Sequence, residues 1–183
     1  SDGSALPSWL SFNTTTRTFT GTPLNADVGD ISVKITASDG SFSATDTFTL
    51  TVANTNDAPT GLTLSATAFD ENAAGAVVGT LSTTDDDIIH GDSHTYTLSG
   101  TDADAFEVVN DQLKLKSGVS ANFENQSTYA VTVTSTDRSG STTAQSFSIS
   151  INDVNEAPTA ITLSAAAINE NDSGAVVGTL GSS

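Results

Sequence analysis

The sequence predicts an all-β protein made of tandem Greek-key β-sandwich units, and three observations carry that prediction. Thr and Ser are abundant and suit strands, while Asp, Asn, Gly and Ser cluster in turns. Short runs alternate apolar and polar residues, as in Tyr129, Val131, Val133 and in Phe147, Ile149, Ile151, and no segment sustains a helical period. The chain also repeats itself. Ala58 to Leu81 (APTGLTLSATAFDENAAGAVVGTL) and Ala157 to Leu180 (APTAITLSAAAINENDSGAVVGTL) are identical at 17 of 24 positions, at an offset of 99 residues.

The repeat sets the expected organisation. One complete unit runs over 58–156, preceded at 1–57 by the C-terminal part of a related unit and followed at 157–183 by the N-terminal strands of a third. Within the complete unit, strands are expected near 61–68, 75–81, 94–99, 105–109, 112–116, 128–136 and 144–152. The step Asn110-Asp111, between FEVV and QLKLK, is a hairpin signal. Seven short strands in about 100 residues is the count of a sandwich. The first unit's opening strands are expected upstream of Ser1, and with no initiator Met the chain is expected to be a piece of something longer.

Composition excludes several function classes. Of the 183 residues, 22 are Asp or Glu and 5 are Lys or Arg, a net charge of −17 that would be repelled by nucleic acid and by anionic membranes. Seventeen of the acids are Asp, mostly at strand ends and turns. No apolar run approaches the roughly 20 residues needed to insert in a bilayer. With no Cys there are no disulfides, zinc-thiolate sites or thiol nucleophiles, so if the chain works outside a cell something other than disulfides must stabilise it.

Five motifs then occur in order. They are Phe69-Asp70-Glu71-Asn72; Asp85-Asp86-Asp87 followed by Tyr96; Asn122-Phe123-Glu124; Thr136-Asp137-Arg138; and Asp153-Val154-Asn155-Glu156-Ala157-Pro158. In that order they resemble the Glu-Asn, Asp-x-Asp, Asp-Arg-Glu, x-Asp-x and linker motifs of cadherin repeats. The leading segment, with Leu6-Pro7-Ser8-Trp9-Leu10, Phe19-Thr20-Gly21-Thr22-Pro23 and Ile35-Thr36-Ala37-Ser38-Asp39-Gly40, resembles a dystroglycan-type cadherin-like domain. The Thr-rich style and the Asn-Glu-Ala-Pro linker are similar to those of large secreted bacterial (RTX-type) adhesins.

The resemblance implies calcium held between successive units by oxygen donors. Calcium takes six to eight of these, and no single edge supplies that many. Carried over residue by residue, the first junction would use Asp85, Asp87, Asp137 and the carbonyl of His94 from the upper unit. Asn54, Asn56 and Asp57 would come from the linker and Asp27 from below. The second junction would use Glu71, Asn122 and Glu124 with Asp153, Asn155 and Glu156, where Asn122 and Glu156 each replace the family's Asp. Asp39 matches Asp137 but lacks a partner unit.

Other signals are weaker. His90 and His94 lie four apart, but on a loop that spacing lacks its helical meaning, and no third soft ligand is apparent. Trp9 is expected in the core. The Asp triplet has no cleft to serve as a glycosidase acid–base pair, and no phosphate loop or Gly-x-Ser-x-Gly is present. The expectation is therefore a non-enzymatic, calcium-stiffened extender of an extracellular, bacterial cell-surface adhesin, whose partners are its neighbouring repeats. The competing expectation is a calcium-dependent carbohydrate-binding module, including one appended to a secreted polysaccharide-degrading enzyme. Self-association through the two orphan apolar strands of the tail is a further expected partnership.

Overall fold

The structure, a computed structural model, describes residues 5–182 and contains strands and short 3-10 turns, with no α-helix among those residues. The leading segment folds as two hairpins. Strand β1 (Leu10–Asn13) pairs with β2 (Thr18–Gly21), and β3 (Gly29–Ser38) pairs with β4 (Ser43–Val52), both antiparallel. A 3-10 turn, Asn25–Asp27, joins β2 to β3. Trp9, expected in the core, is half-buried beside Gly21, where a Cβ would clash with the Trp9 carbonyl oxygen.

Residues 61–152 form a sandwich of two four-stranded sheets. The strands are β5 (Gly61–Leu64), β6 (Ala68–Asp70), β7 (Val77–Thr84), β8 (Thr95–Ser99), β9 (Phe106–Val109), β10 (Gln112–Leu115), β11 (Thr128–Thr136) and β12 (Thr142–Asn152). One sheet has the order β5-β7-β10-β9 and the other β6-β12-β11-β8. The first strand expected from sequence, 61–68, is two strands. The chain leaves one sheet after Leu64, turns at Ser65, and enters the other at Ala68, where β6 runs parallel to β12. This crossing lets Leu62 and Phe69 both reach the shared core. The Asn110-Asp111 step is the tight turn between β9 and β10, with φ of 50° and 61° as a type I′ turn requires.

The core is a single cluster including Phe69, Val78, Leu81, Phe106, Leu113, Val131, Val133, Ile149 and Ile151. Alternation explains it, since the inward face of each strand is every second residue. The same alternation carries two rows beyond the apolar core. The inward residues Leu81 and Thr83 of β7 are followed past the strand end by Asp85 and, in the next 3-10 turn, Asp87, and Val131, Val133 and Ser135 of β11 are followed by Asp137, all buried. The interior thus passes from hydrocarbon, through hydroxyls, to carboxylates at one end. The hydroxyl layer is internally satisfied, with Thr83 Oγ1 2.7 Å from Ser135 Oγ and 3.0 Å from Tyr96 Oη.

The tail repeats the opening of the sandwich. Strand β13 (Ile161–Leu163) pairs with β14 (Leu180–Ser182), and its pairs Ile161↔Ser182 and Leu163↔Leu180 lie 99 residues beyond Leu62↔Thr83 and Leu64↔Leu81. The shared Gly has a local cause. A Cβ at Gly79 would meet the Ala66 amide nitrogen at 2.8 Å, and one at Gly178 would meet the Ala165 carbonyl at 2.7 Å. Without sheets to cover them, Ile161, Leu180 and Val176 are exposed in the tail.

Candidate cation sites at the two ends of the sandwich

The carboxylate layer lies where the segment 53–57 meets the sandwich. Asp87 is 1% exposed and Asp137 5%. The linker docks onto both: the Asp57 amide donates to Asp87 Oδ2 at 2.6 Å, and the Asn56 side-chain amide donates to Asp137 Oδ2 at 3.0 Å. Asp85 Oδ1 accepts the Asp87 amide at 2.8 Å, so this carboxylate also caps the 3-10 turn Asp86–His90. Asp137 Oδ1 accepts the Ser139 and Ser141 amides at 2.8 and 2.7 Å. The Asn56 amide, and after it the backbone amides of Ser141, Gly140 and Ser139, hold the Asp137 carboxyl below the usual carboxylate range against the opposing effect of burial. Asp39 builds the same turn with the Ser41 and Phe42 amides, but exposed, and its carboxyl is likewise lowered, chiefly by Phe42.

Two oxygens here have no partner. Asp87 Oδ1 and Asp92 Oδ2 are buried and accept no hydrogen bond. Among the described residues the only ion pairs are His94–Asp85 and Lys114–Glu107, so no Lys or Arg pairs with Asp85, Asp87 or Asp137. Buried charge without a partner is strongly unfavourable, and the remedies are protonation or a bound cation. Asn54, Asn56, Asp87, His90 and Asp92 line one open cleft, together with Arg138. The Asn and Asp oxygens among them are hard donors of the kind that calcium takes.

At this end the structure places four residues differently from the sequence reading. Asp27 does not join the carboxylates, because its Oδ2 accepts the Leu24 amide at 2.9 Å within its own 3-10 turn. Asn25 reaches across instead, its amide donating to Asp57 Oδ2 at 2.7 Å and Asp86 Oδ2 at 3.2 Å, while its carbonyl lies 3.1 Å from His90 Nε2. The two histidines do not converge. His94 presents its ring, with Nε2 3.0 Å from Asp85 Oδ2. Asp92 completes that group, and a ligand atom from each of Asp85, Asp92 and His94 lies within 4.8 Å of the others. No sequence motif marks Asn25 or Asp92.

The opposite end carries a second group. Glu71, Glu124, Asp153 and Glu156 bring ligand oxygens within 4.8 Å of one another. Glu71, 3% exposed, is fixed by the Phe123 amide on Oε2 (2.7 Å) and the Val154 amide on Oε1 (2.9 Å). Asn72 donates to Glu156 Oε1 at 2.6 Å. Asn122 is turned to its own loop, with Oδ1 accepting the Asn125 amide at 2.8 Å. Asn155 is exposed in the linker between Asp153 and Glu156.

Comparison with known proteins agrees with the architecture. No curated protein sequence matches the chain. A family model described as "Putative Ig domain" matches residues 1–53. Among solved structures, a protocadherin gammaB4 extracellular domain is similar over 100% of this chain and 31% of its own, with a TM-score of 0.70 and 20% identity. Protocadherin gammaB7 EC3-6, solved as a cis-dimer, is similar over 89% of this chain and 41% of its own, with a TM-score of 0.64 and 22% identity. Human protocadherin-24 EC1-2 is similar over 82% of this chain and 80% of its own, with a TM-score of 0.60 and 20% identity. The chain therefore spans less than half the length of the first two structures it matches, and what the likeness shows is the fold, an all-β, cadherin-like β-sandwich.

Proposed function

We propose that the chain is a calcium-stiffened extender segment of an extracellular adhesin, in which cations set the angle between successive sandwich units at 1–57, 58–156 and 157–183. The observation that carries the reading is Asp87, a carboxylate 1% exposed, with Oδ1 unpartnered, at the seam where the linker meets the sandwich. Asp85, Asp87 and Asp137 with Asn54, Asn56 and Asp57 would hold calcium at one end. Glu71, Glu124, Asp153 and Glu156 would hold it at the other, with Asn122 and Asn155 as candidate amide donors. Calcium bound there supplies the positive charge that these oxygens lack. The net charge of −17 favours its arrival, and keeps the rods apart in solution. Extracellular modules bind calcium at roughly 10⁻⁴–10⁻³ M, so such sites fill outside a cell and empty in the cytosol. The Thr-rich, Cys-free composition fits a secreted bacterial surface protein of the RTX-adhesin style, stabilised by metal in place of disulfides.

The test is small-angle scattering of the whole chain with calcium and with chelator. In calcium the maximum dimension should be sharply defined. In chelator the carboxylates repel, and the distance distribution should broaden while strand content by circular dichroism stays unchanged. Superimposable scattering curves in the two conditions refute the reading.

A further inference from the structure

We propose that Asp85, Asp92 and His94 form a second kind of cation site at the linker end, one that selects zinc or a similar borderline-soft divalent metal over calcium. The donors come from the end of β7 and the loop between the 3-10 turn Asp86–His90 and β8. A ligand atom from each lies within 4.8 Å of the others. The Asp85 side chain is 0% exposed and the His94 side chain 7%, with Nε2 and Oδ2 3.0 Å apart. Two donors on one tetrahedral zinc, bound at about 2.0–2.1 Å, sit roughly 3.3 Å apart, so this pair is already near that spacing. Asp92 supplies the independent sign of a missing ligand. Its Oδ1 accepts the Ser93 and Arg138 amides at 2.7 and 3.3 Å, while Oδ2 is buried and unpartnered.

The chemistry of the donor set chooses the metal. Calcium and magnesium prefer oxygen shells, whereas an imidazole nitrogen suits zinc, copper, nickel and iron. A two-carboxylate, one-imidazole set leaves a fourth zinc position for water. The loop that delivers these donors is held by backbone contacts, with the Gly91 amide on the Ile88 carbonyl at 3.1 Å and the Asp92 amide on the Asp87 carbonyl at 3.1 Å. Asp85 belongs to both groups, so zinc would occupy one face of a carboxylate whose other neighbours are assigned to calcium. The inference does not rest on the calcium reading, because its three donors meet independently of what binds Asp87 and Asp137.

Zinc and, as a spectroscopic probe, cobalt(II) are titrated into the metal-stripped whole chain, and calcium into a separate sample. One equivalent of zinc is expected to bind, cobalt to give a visible d–d band, and His94→Asn to lose the band. Because losing an outer-shell partner already costs roughly 10–100-fold in affinity, removing this ligand should weaken zinc by at least that. In the wild type, long-range ¹H–¹⁵N spectra should show zinc shifting the His94 ring and leaving His90 in place, a readout that needs no variant. Zinc binding that His94→Asn leaves unchanged, or a spectrum in which neither ring or only His90 responds, overturns the site. The calcium isotherm reports separately on the calcium reading and can fail or succeed without affecting this result.

Discussion

Chelation is expected to lower the melting temperature of the sandwich by about 10–20 °C, and calcium to restore it. A ligand that binds only the folded state at ~100 times its dissociation constant adds about 2.7 kcal/mol. For a unit of under 100 residues each kcal/mol moves the midpoint by about 4–8 °C. The effect is large because the metal adds its own binding energy and also removes a penalty, the mutual repulsion of buried carboxylates that have no Lys or Arg partner. Magnesium should substitute poorly, since it demands a tight octahedral shell and gives up water reluctantly. Differential scanning calorimetry in chelator, calcium and magnesium decides the matter. Coincident transitions in all three would leave the carboxylate layer without a calcium role.

Asp87→Asn should reverse sign with calcium. Without metal, the wild type buries Asp87 Oδ1 with no hydrogen-bond partner, and leaving such a group unsatisfied costs about 1–3 kcal/mol. The amide is neutral, and its carbonyl can still accept the Asp57 amide that Asp87 Oδ2 accepts at 2.6 Å. The variant should therefore melt several degrees above the wild type in chelator. In calcium the order should invert, because the hard anionic ligand is gone. Chemical denaturation in both conditions measures the crossing. A variant that is weaker than the wild type in chelator, yet gains as much from calcium, would place the Asp87 charge outside any metal shell.

Sequence patterning reached far into this fold, and its limits are physical. The alternation in 128–136 and 144–152, and the Asn110-Asp111 turn, depend on neighbours along one strand, so they could be read directly. The break of 61–68 into β5 and β6 could not, because only the opposing strands β7 and β12 determine where the chain changes sheets. The inward residues Leu81 and Thr83, and Val131, Val133 and Ser135, follow from the same period of two, whereas Asp85, Asp87 and Asp137 lie past the strand ends and were grouped only through the cadherin resemblance. Asp27 and Asn25 show the opposite case. They sit two apart in a 3-10 turn, where residues at that separation point in different directions, and only the placement of the turn against Asp57 and Asp86 makes Asn25 the one that crosses. His94 was legible only as a backbone carbonyl, since the direction of its ring depends on the Asp86–His90 turn folding beneath it.

The chain enters and leaves the sandwich at opposite ends. Residues 56 and 57 dock beside Asp87 and Asp137, and 153–156 depart beside Glu71 and Asn72. Strand β5 begins opposite the end of β7, and β12 ends alongside β6 in parallel register through Asn152↔Asp70. A pull applied between the two linkers therefore runs along the strands, loading the rungs of these ladders in shear, all at once. None can peel open singly from one end. That is the geometry of a lap joint rather than a zipper.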